Sequence, residues 1–334
     1  MAEIIALVGG DTLLGREIRE VFNESSLGRQ LKLVAGEEDE SGKVVAIDGG
    51  VSFVSDLKEE EIEDAAVVIL AGSAETSRRA LATKPNGLVI DLTGVAEDEP
   101  ETRLRAPLVE EVQLDPDRDG HSDLNGPAVV AHPAAVAIAI LLRRLHRTFG
   151  LTNSVINIFE PASERGKQGV DELQQQTVSL LSFQKLPKKL FDAQLTFNML
   201  AQLGEEADLQ LLSIEERIER HLATLLDSDD GVPLPSIRLS QAPVFHGYSM
   251  SVWATFDDAP SPQEIEEDLA EAGIDVRGEG LEAPNNAGIA GHSGIAVGAI
   301  AADRNNGSAV WLWMVADNLR LSAENAARLA MEVL

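Results

Sequence analysis

The sequence predicts an α/β chain of two domains, and three observations carry that expectation. Residues 3–92 alternate short apolar strands with helical stretches over brief connections, the grammar of a largely parallel sheet. Beyond a strand-to-helix elbow at 129–140 the strands lengthen and alternate as in antiparallel sheet, with a hairpin near the end, which is α+β grammar. An amphipathic helix over 322–334, with Ser322 as its expected cap, closes the chain and is expected to return to the first domain. The domain limits that follow are 1–127, with 318–334 packing back, and 128–317. The Asp- and Gly-rich stretch 115–126, containing His121 and Asn125, reads as the loop between them.

Composition bounds the function. At 334 residues with 44% hydrophobic content the chain has material for two cores. Its longest uncharged apolar run, Ala134 to Leu142, is far too short to span a bilayer. The start, Met-Ala-Glu-Ile-Ile, shows no basic region or cleavage site, and there is no cysteine, so the expectation is a cytoplasmic protein without disulfides, thiolate metal sites or a sulfur nucleophile. A formal charge of −29 repels nucleic acid and anionic lipid, and neither is expected as a partner. The one basic patch, Arg143, Arg144, His146 and Arg147, reads as the solvated end of a helix.

The first element is a strand over Glu3 to Val8. Gly9-Gly10-Asp11-Thr12-Leu13-Leu14-Gly15 follows, then a helix over Arg16 to Asn23 with Ile18, Val21 and Phe22 on one face. A glycine loop between strand and helix lets backbone approach a phosphate and aims helix N–H groups at it, which is the physics of a Rossmann-like dinucleotide-binding turn. Gly9, Thr12, Leu13, Leu14 and Gly15 are therefore candidate cofactor residues, and the same residues also suit a tight turn with no ligand. A second strand, Leu31 to Ala35, leads into Glu37, Glu38, Asp39 and Glu40. Carboxylates there disfavour NADP, whose 2′-phosphate they repel, and tolerate the ribose of NAD, with Glu37 the nearest candidate. An exposed acidic loop without ligand is the other reading. Strands at Val67 to Leu70 and Leu88 to Leu92 flank a helix around Thr76 to Thr83, and Ser73 at the end of the first is a further nucleotide-contact candidate.

At the elbow, Val-Val-Ala enters His132-Pro133 and an Ala-rich helix opens. A thiol at such a helix start would be held as thiolate, but the positions hold Ala134, Ala135 and Val136, which supply no nucleophile. The stretch also reads simply as a buried core helix. Next come a strand over Ser154 to Glu160 and helices over Gly169 to Ser182 and Leu211 to Leu226. A strand over Val244 to Phe256 and a helix over Ser261 to Ala272 follow, then a hairpin of Gly294 to Ala302 with Ala309 to Ala316, carrying Trp311 and Trp313. On one regular strand His246 and Tyr248 would face the same side, unless Gly247 breaks the alternation.

In this order the motifs resemble the aspartate-semialdehyde dehydrogenase family over nearly the whole chain. The matching pieces begin with Val-Gly-Gly-Asp-Thr-Leu-Leu-Gly, Ile90 to Gly94, Pro107 to Val112 and Val129 to Pro133. They continue with Glu160-Pro161-Ala162-Ser163, Gly166 to Leu173, Phe197-Asn198, Ile214 to Glu216, Gln241 to Tyr248, and Asp317 to Arg320 before Asn325-Ala326. The resemblance implies an NAD(P)-dependent oxidoreductase of amino-acid biosynthesis, with a dinucleotide domain, a dimerisation domain, a catalytic cysteine two residues after the elbow proline, and a histidine acid/base. Ala135 stands at the cysteine position, Tyr248 at the histidine, and Gln241 at a substrate arginine. Ala299 and Ala301 stand at two further arginines and Thr12 at the middle glycine of the turn. Gly9, Gly15, Asn198 and Asp317-Asn318-Leu319 persist, Asn318 with an implied cofactor role. The pattern is most similar to the Usg-type paralogues that lack the cysteine.

The resulting expectation is a non-catalytic homologue with a binding or scaffold role, weak or absent dinucleotide binding, and assembly as a homodimer or as a mixed dimer with an active paralogue. Two alternatives stay open. One is an active aspartate-semialdehyde dehydrogenase-like oxidoreductase. The other is a non-covalent enzyme in which His132 and Tyr248, with His246, transfer protons. Histidine spacing gives no metal motif, and no metal is expected.

Overall fold

A computed structural model describes residues 4–36, 42–47, 50–110, 126–227, 231–257 and 260–334. The chain forms two compact units, Met1–Ala131 with Ser322–Leu334, and His132–Leu321.

The first unit runs β1 (Ile5–Val8), α1 (Leu13–Asn23), β2 (Leu31–Val34), β3 (Val44–Ile47), β4 (Gly50–Phe53), α2 (Glu59–Ile62), β5 (Val67–Leu70), α3 (Ala74–Ala82), β6 (Leu88–Asp91), β7 (Arg103–Arg105), α4 (Pro107–Glu110) and β8 (Ala128–Val130). Six strands make one parallel sheet in the order β2-β1-β5-β6-β8-β7, while β3 and β4 pair separately as a hairpin. Runs such as Ile5-Ala6-Leu7-Val8 are apolar throughout because both faces are covered. Ile5, Leu7, Leu33, Ile69 and Ile90 join Ile18 and Phe22 of α1 and Ala326, Leu329 and Ala330 of the C-terminal helix. Ala6, Val8, Val68 and Leu70 face Ile62 and Ala80 on the other side. The closing helix thus returns to the first unit. Arg105 of β7 fastens it further, pairing with Glu110 at 2.7 Å and Glu332 at 3.1 Å.

The second unit contains α5 (Pro133–Phe149), β9 (Leu151–Glu160), α6 (Gly166–Leu181), α7 (Leu211–Leu226), β10 (Ser236–Gln241), β11 (Tyr248–Phe256), α8 (Pro262–Glu271), β12 (Asp275–Arg277), β13 (Ile295–Ala302) and β14 (Ala309–Ala316). Its mixed sheet has the order β10-β9-β11-β14-β13-β12, antiparallel from β9 to β13 with a parallel strand at each edge. Alternation divides the faces. Ile156, Ile158, Met250, Val252, Leu312 and Met314 are buried, whereas Val155, Phe159, Trp253, Trp311 and Trp313 lie on a more open face. There the indoles of Trp253 and Trp311 both donate to Asp303 Oδ2 at 2.9 Å, and that of Trp313 donates to the Pro284 carbonyl at 3.1 Å.

Four readings of the sequence need correction. The closing helix, α9 (Asn318–Val333), begins at Asn318 rather than Ser322, because Asp317 Oδ1 accepts from the N–H groups of Leu319 and Arg320 and caps it. The strand expected from Val244 starts only at Tyr248. Gly247 adopts φ +79, and the carbonyls of Val244 and Phe245 instead accept from Ala162 and Ser163. His246 is therefore off the strand, half-exposed, and does not share a face with Tyr248. The basic patch is a solvated helix end only at Arg147, which is exposed: Arg143 is buried and donates to the Leu225 carbonyl, Arg144 grips Asp268 of α8, and His146 Nδ1 meets the Leu151 carbonyl. Most of the loop read at 115–126 lies outside the described residues.

Candidate functional site

In the first unit the glycine turn has the expected shape. Gly9, at φ +90, packs its Cα against the Gly72 backbone, and a side chain on Gly15 would strike the Gly9 carbonyl, so both positions require glycine. Thr12 is the N-cap of α1. Its hydroxyl accepts from Gly15 N at 2.9 Å and lies 2.8 and 2.9 Å from the carbonyls of Gly9 and Ala71. Leu13 and Leu14 are half-buried, Leu14 against the core, and Ser73 caps α3 by accepting from Thr76 N. The sequence reading missed Asp11: its carboxylate beside the turn pairs with Arg16 at 2.9 Å and Lys43 at 3.3 Å, while Arg19 donates to the Gly10 carbonyl. The shape of this turn fits a dinucleotide pyrophosphate. One helix-start N–H, that of Gly15, is already taken by Thr12, and the Asp11 carboxylate beside the turn is held by Arg16 and Lys43. Glu37 to Glu40 lie outside the described residues.

The second unit builds its polar centre at one end of the sheet. Gln241 is level with Glu160 across β10 and β9, and Tyr248 opens the neighbouring β11. The elbow delivers His132 as N-cap of α5 and Pro133 as its first residue, so Ala135 lies in the first turn, fully buried, with only a methyl group to offer. His132 and Tyr248, far apart in sequence, meet with ring centroids 6.0 Å apart.

The histidine is wired as a structural group. Its backbone N–H donates to His221 Nδ1 at 2.9 Å, and its own Nδ1 accepts from Ala134 N at 3.3 Å. Burial, then the nearby Arg217, His221 and Arg165, hold the His132 imidazole well below its ordinary pKa. It is therefore neutral, and because Nδ1 accepts, the proton sits on Nε2, facing Glu164 Oε1 at 3.5 Å.

Glu160, Glu164 and Arg165 are the centre's remaining members, and sequence reasoning passed over their charges. Arg165 Nε pairs with Glu160 Oε1 at 3.1 Å. Burial nevertheless pushes the Glu160 carboxyl up to about 7, with Arg165 opposing. Burial also raises Glu164, against a hydrogen bond from Asn318 Nδ2 at 3.0 Å. Tyr248, fully buried beside these carboxylates, is raised well above its ordinary value, first by burial and then by Glu164 and Glu160. Its hydroxyl lies near enough to Glu164 for each to influence the other, yet no described group meets it in a well-aligned hydrogen bond.

Gln241 donates to the Glu160 carbonyl at 2.8 Å. Asn318 spends its amide on protein groups, accepting from Gly247 N and Ser163 Oγ and donating to Glu164. The structure thus brings together Ala135's helix start, His132, Tyr248, Gln241 and Asn318, and leaves His246 apart. A signal for the missed members was present in Glu160, Glu164 and Arg165, three ionisable residues clustered between a strand end and a glycine-led helix. Among the described residues no group of three or more His, Asp and Glu side chains is arranged to hold a metal ion.

Residues 142–321 match the family model described as semialdehyde dehydrogenase, dimerisation domain. Among curated proteins the chain is 26% identical to an aspartate-semialdehyde dehydrogenase of Rickettsia bellii and 29% identical to a USG-1 protein homolog of Pseudomonas aeruginosa. Each alignment covers 99% of this chain and 97% of the relative. Among solved structures it superposes on aspartate semialdehyde dehydrogenase II from Vibrio cholerae with a TM-score of 0.83 at 21% identity. With a probable aspartate-semialdehyde dehydrogenase from Pseudomonas aeruginosa the TM-score is 0.81 at 25% identity. Both superpositions cover 99% of this chain and 98% of the other.

Proposed function

The chain belongs to the semialdehyde dehydrogenase family, and from that premise we propose that it is a non-catalytic member with a binding or scaffold role, assembled as a dimer in the cytoplasm. The observation that carries the reading is the buried methyl of Ala135 in the first turn of α5, where the family resemblance requires a sulfur nucleophile. Among the described residues, the neighbouring polar groups supply no substitute. Tyr248 holds its proton, His132 is neutral with Nδ1 engaged, and Ser163 Oγ donates to Asn318 rather than to a base. A phosphate-dependent assay of NAD and NADP reduction with aspartate semialdehyde, the substrate implied by the names of the relatives, tests this. No turnover is expected from the native chain, and Ala135→Cys combined with Tyr248→His is expected to produce some. Turnover by the native chain overturns the reading in favour of an active oxidoreductase.

Asp11 beside the glycine turn and the acidic run at Glu37 to Glu40 support weak NAD binding and weaker NADP binding. The more open sheet face carrying Val155, Trp253, Trp311 and Trp313 supports self-association, and copurification with an active paralogue tests the mixed dimer.

One observation favours a second reading. The proton on His132 Nε2 faces Glu164, with Tyr248 alongside, an arrangement able to pass a proton to a ligand without covalent attachment. If alanine at both His132 and Tyr248 leaves metabolite-induced thermal shifts unchanged, that reading fails.

A further inference from the structure

We propose that the polar centre of the second unit is a binding site for a small carboxylate, and that the chain fills this site with its own Glu164. The inference rests on the non-catalytic reading above and deepens it, because a centre without a nucleophile is then also closed by a tethered occupant. Glu164 belongs to a short 3-10 turn, Ala162–Arg165, between β9 and α6. Contacts distant in sequence hold that turn in place. The N–H groups of Ala162 and Ser163 donate to the carbonyls of Val244 and Phe245, each at 2.9 Å. Ser163 Oγ donates to Asn318 Oδ1 at 3.1 Å, and Arg165 Nη1 to the Leu209 carbonyl at 3.3 Å.

Donors from separate elements meet this one carboxylate. Asn318 Nδ2, at the start of α9, donates to Oε2 at 3.0 Å, and the protonated Nε2 of His132, the cap of α5, faces Oε1 at 3.5 Å. The Tyr248 hydroxyl at the start of β11 lies beside it. Burial raises the Glu164 carboxyl, and the guanidinium groups of Arg217 on α7 and of Arg165 oppose that shift. Convergent neutral donors backed by cations are the parts of a carboxylate site.

Glu164 stands at the water side of this centre. Its side chain keeps 19% of its surface, whereas His132 keeps 3% and Glu160, Gln241 and Tyr248 are wholly buried. Behind it the Tyr248 hydroxyl, Gln241 Oε1 and Glu160 Oε2 meet no well-aligned partner among the described residues. Buried polar groups are paired in all but a small share of cases, so three such atoms on neighbouring residues mark a centre that the chain's own groups complete only in part. A tethered group acts at an effective concentration of about millimolar on a flexible linker and far higher when fixed in place. A free carboxylate therefore competes with Glu164 and enters only at raised concentration.

Glu164→Ala deletes a CH2 and a carboxylate, the size of acetate, so acetate is the matching probe. Melting temperatures of the full native chain and of this variant, titrated at neutral pH with sodium acetate and with sodium chloride at equal ionic strength, test the proposal. The variant is expected to gain stability saturably with acetate and not with chloride, and the native chain to need at least about tenfold more acetate for the same gain. If the variant folds only in acetate, its soluble yield in the two salts carries the same conclusion. If it folds in neither, Glu164→Ser, which keeps a hydroxyl toward Asn318, is titrated in its place. Acetate and chloride acting alike on the variant overturn the proposal, as does a native chain that responds at the same acetate concentration. Neither result touches the Ala135 reading, which fails through turnover by the native chain.

Discussion

Tyr248 is a buried phenol with no well-aligned partner, and burying an unpaired hydroxyl costs about 1–3 kcal/mol. Tyr248→Phe is therefore expected to leave stability unchanged or raise it by about 1 kcal/mol in denaturant titrations; a loss above about 2 kcal/mol would reveal a partner for the hydroxyl. Glu160 gives a pH signature. Its folded-state value of about 7 exceeds the usual 4.5, so the folded chain holds this proton more tightly than the unfolded chain. The stabilising share is complete below pH 4.5 and is lost as pH rises through 7, about 3 kcal/mol across that window. Glu164 shifts in the same direction. Unfolding measured at pH 5 and pH 8 should show the decline, and Glu160→Gln should flatten it. That His132 and Tyr248 belong to one centre was legible in the sequence, because the family order places them there. Glu160, Glu164 and Arg165 show in the sequence only as ionisable residues clustered between a strand end and a helix start; that they are buried together comes from the fold.

Elements with a strong period were read well. The helix over Leu211–Leu226 has the limits its amphipathic pattern gives, and Ser261 caps α8 in a capping box with Glu264. Elements whose ends depend on contacts distant in sequence were read less well. The start of α9 is set by Asp317, which also accepts from Gly291 N, so Asp317→Ala is expected to cost about 1 kcal/mol or somewhat more, checked by thermal melting. Arg144 looked solvated because nothing near it in sequence announces Asp268, 124 residues away, to which its Nε donates at 2.8 Å, with Thr148 adding a further contact. Its truncation to alanine leaves a mostly buried carboxylate without its cation and should cost about 2 kcal/mol. Edge strands β7, β10 and β12 gave no usable pattern, being short or dependent on a neighbour for their pairing.

For the whole molecule, the parallel sheet of the first unit and the mixed sheet of the second follow from a change in strand grammar that the sequence displays openly. Ligand preference is less open to reading, since Asp11, Arg16 and Lys43 come together only in the fold. Calorimetry with NAD and NADP is expected to give weak binding for the first and weaker for the second, and Asp11→Asn should tighten both by removing a negative charge beside the turn.

The indole ladder on the second unit's sheet has a practical corollary. Trp253, Trp311 and Trp313 are the chain's three tryptophans and Tyr248 its single tyrosine, so every strong near-ultraviolet chromophore lies within His132–Leu321. Intrinsic emission is blind to the parallel-sheet unit. If the two units melt at different temperatures, far-ultraviolet dichroism will record two steps where fluorescence records one, and the step missing from fluorescence belongs to the glycine-turn half of the molecule.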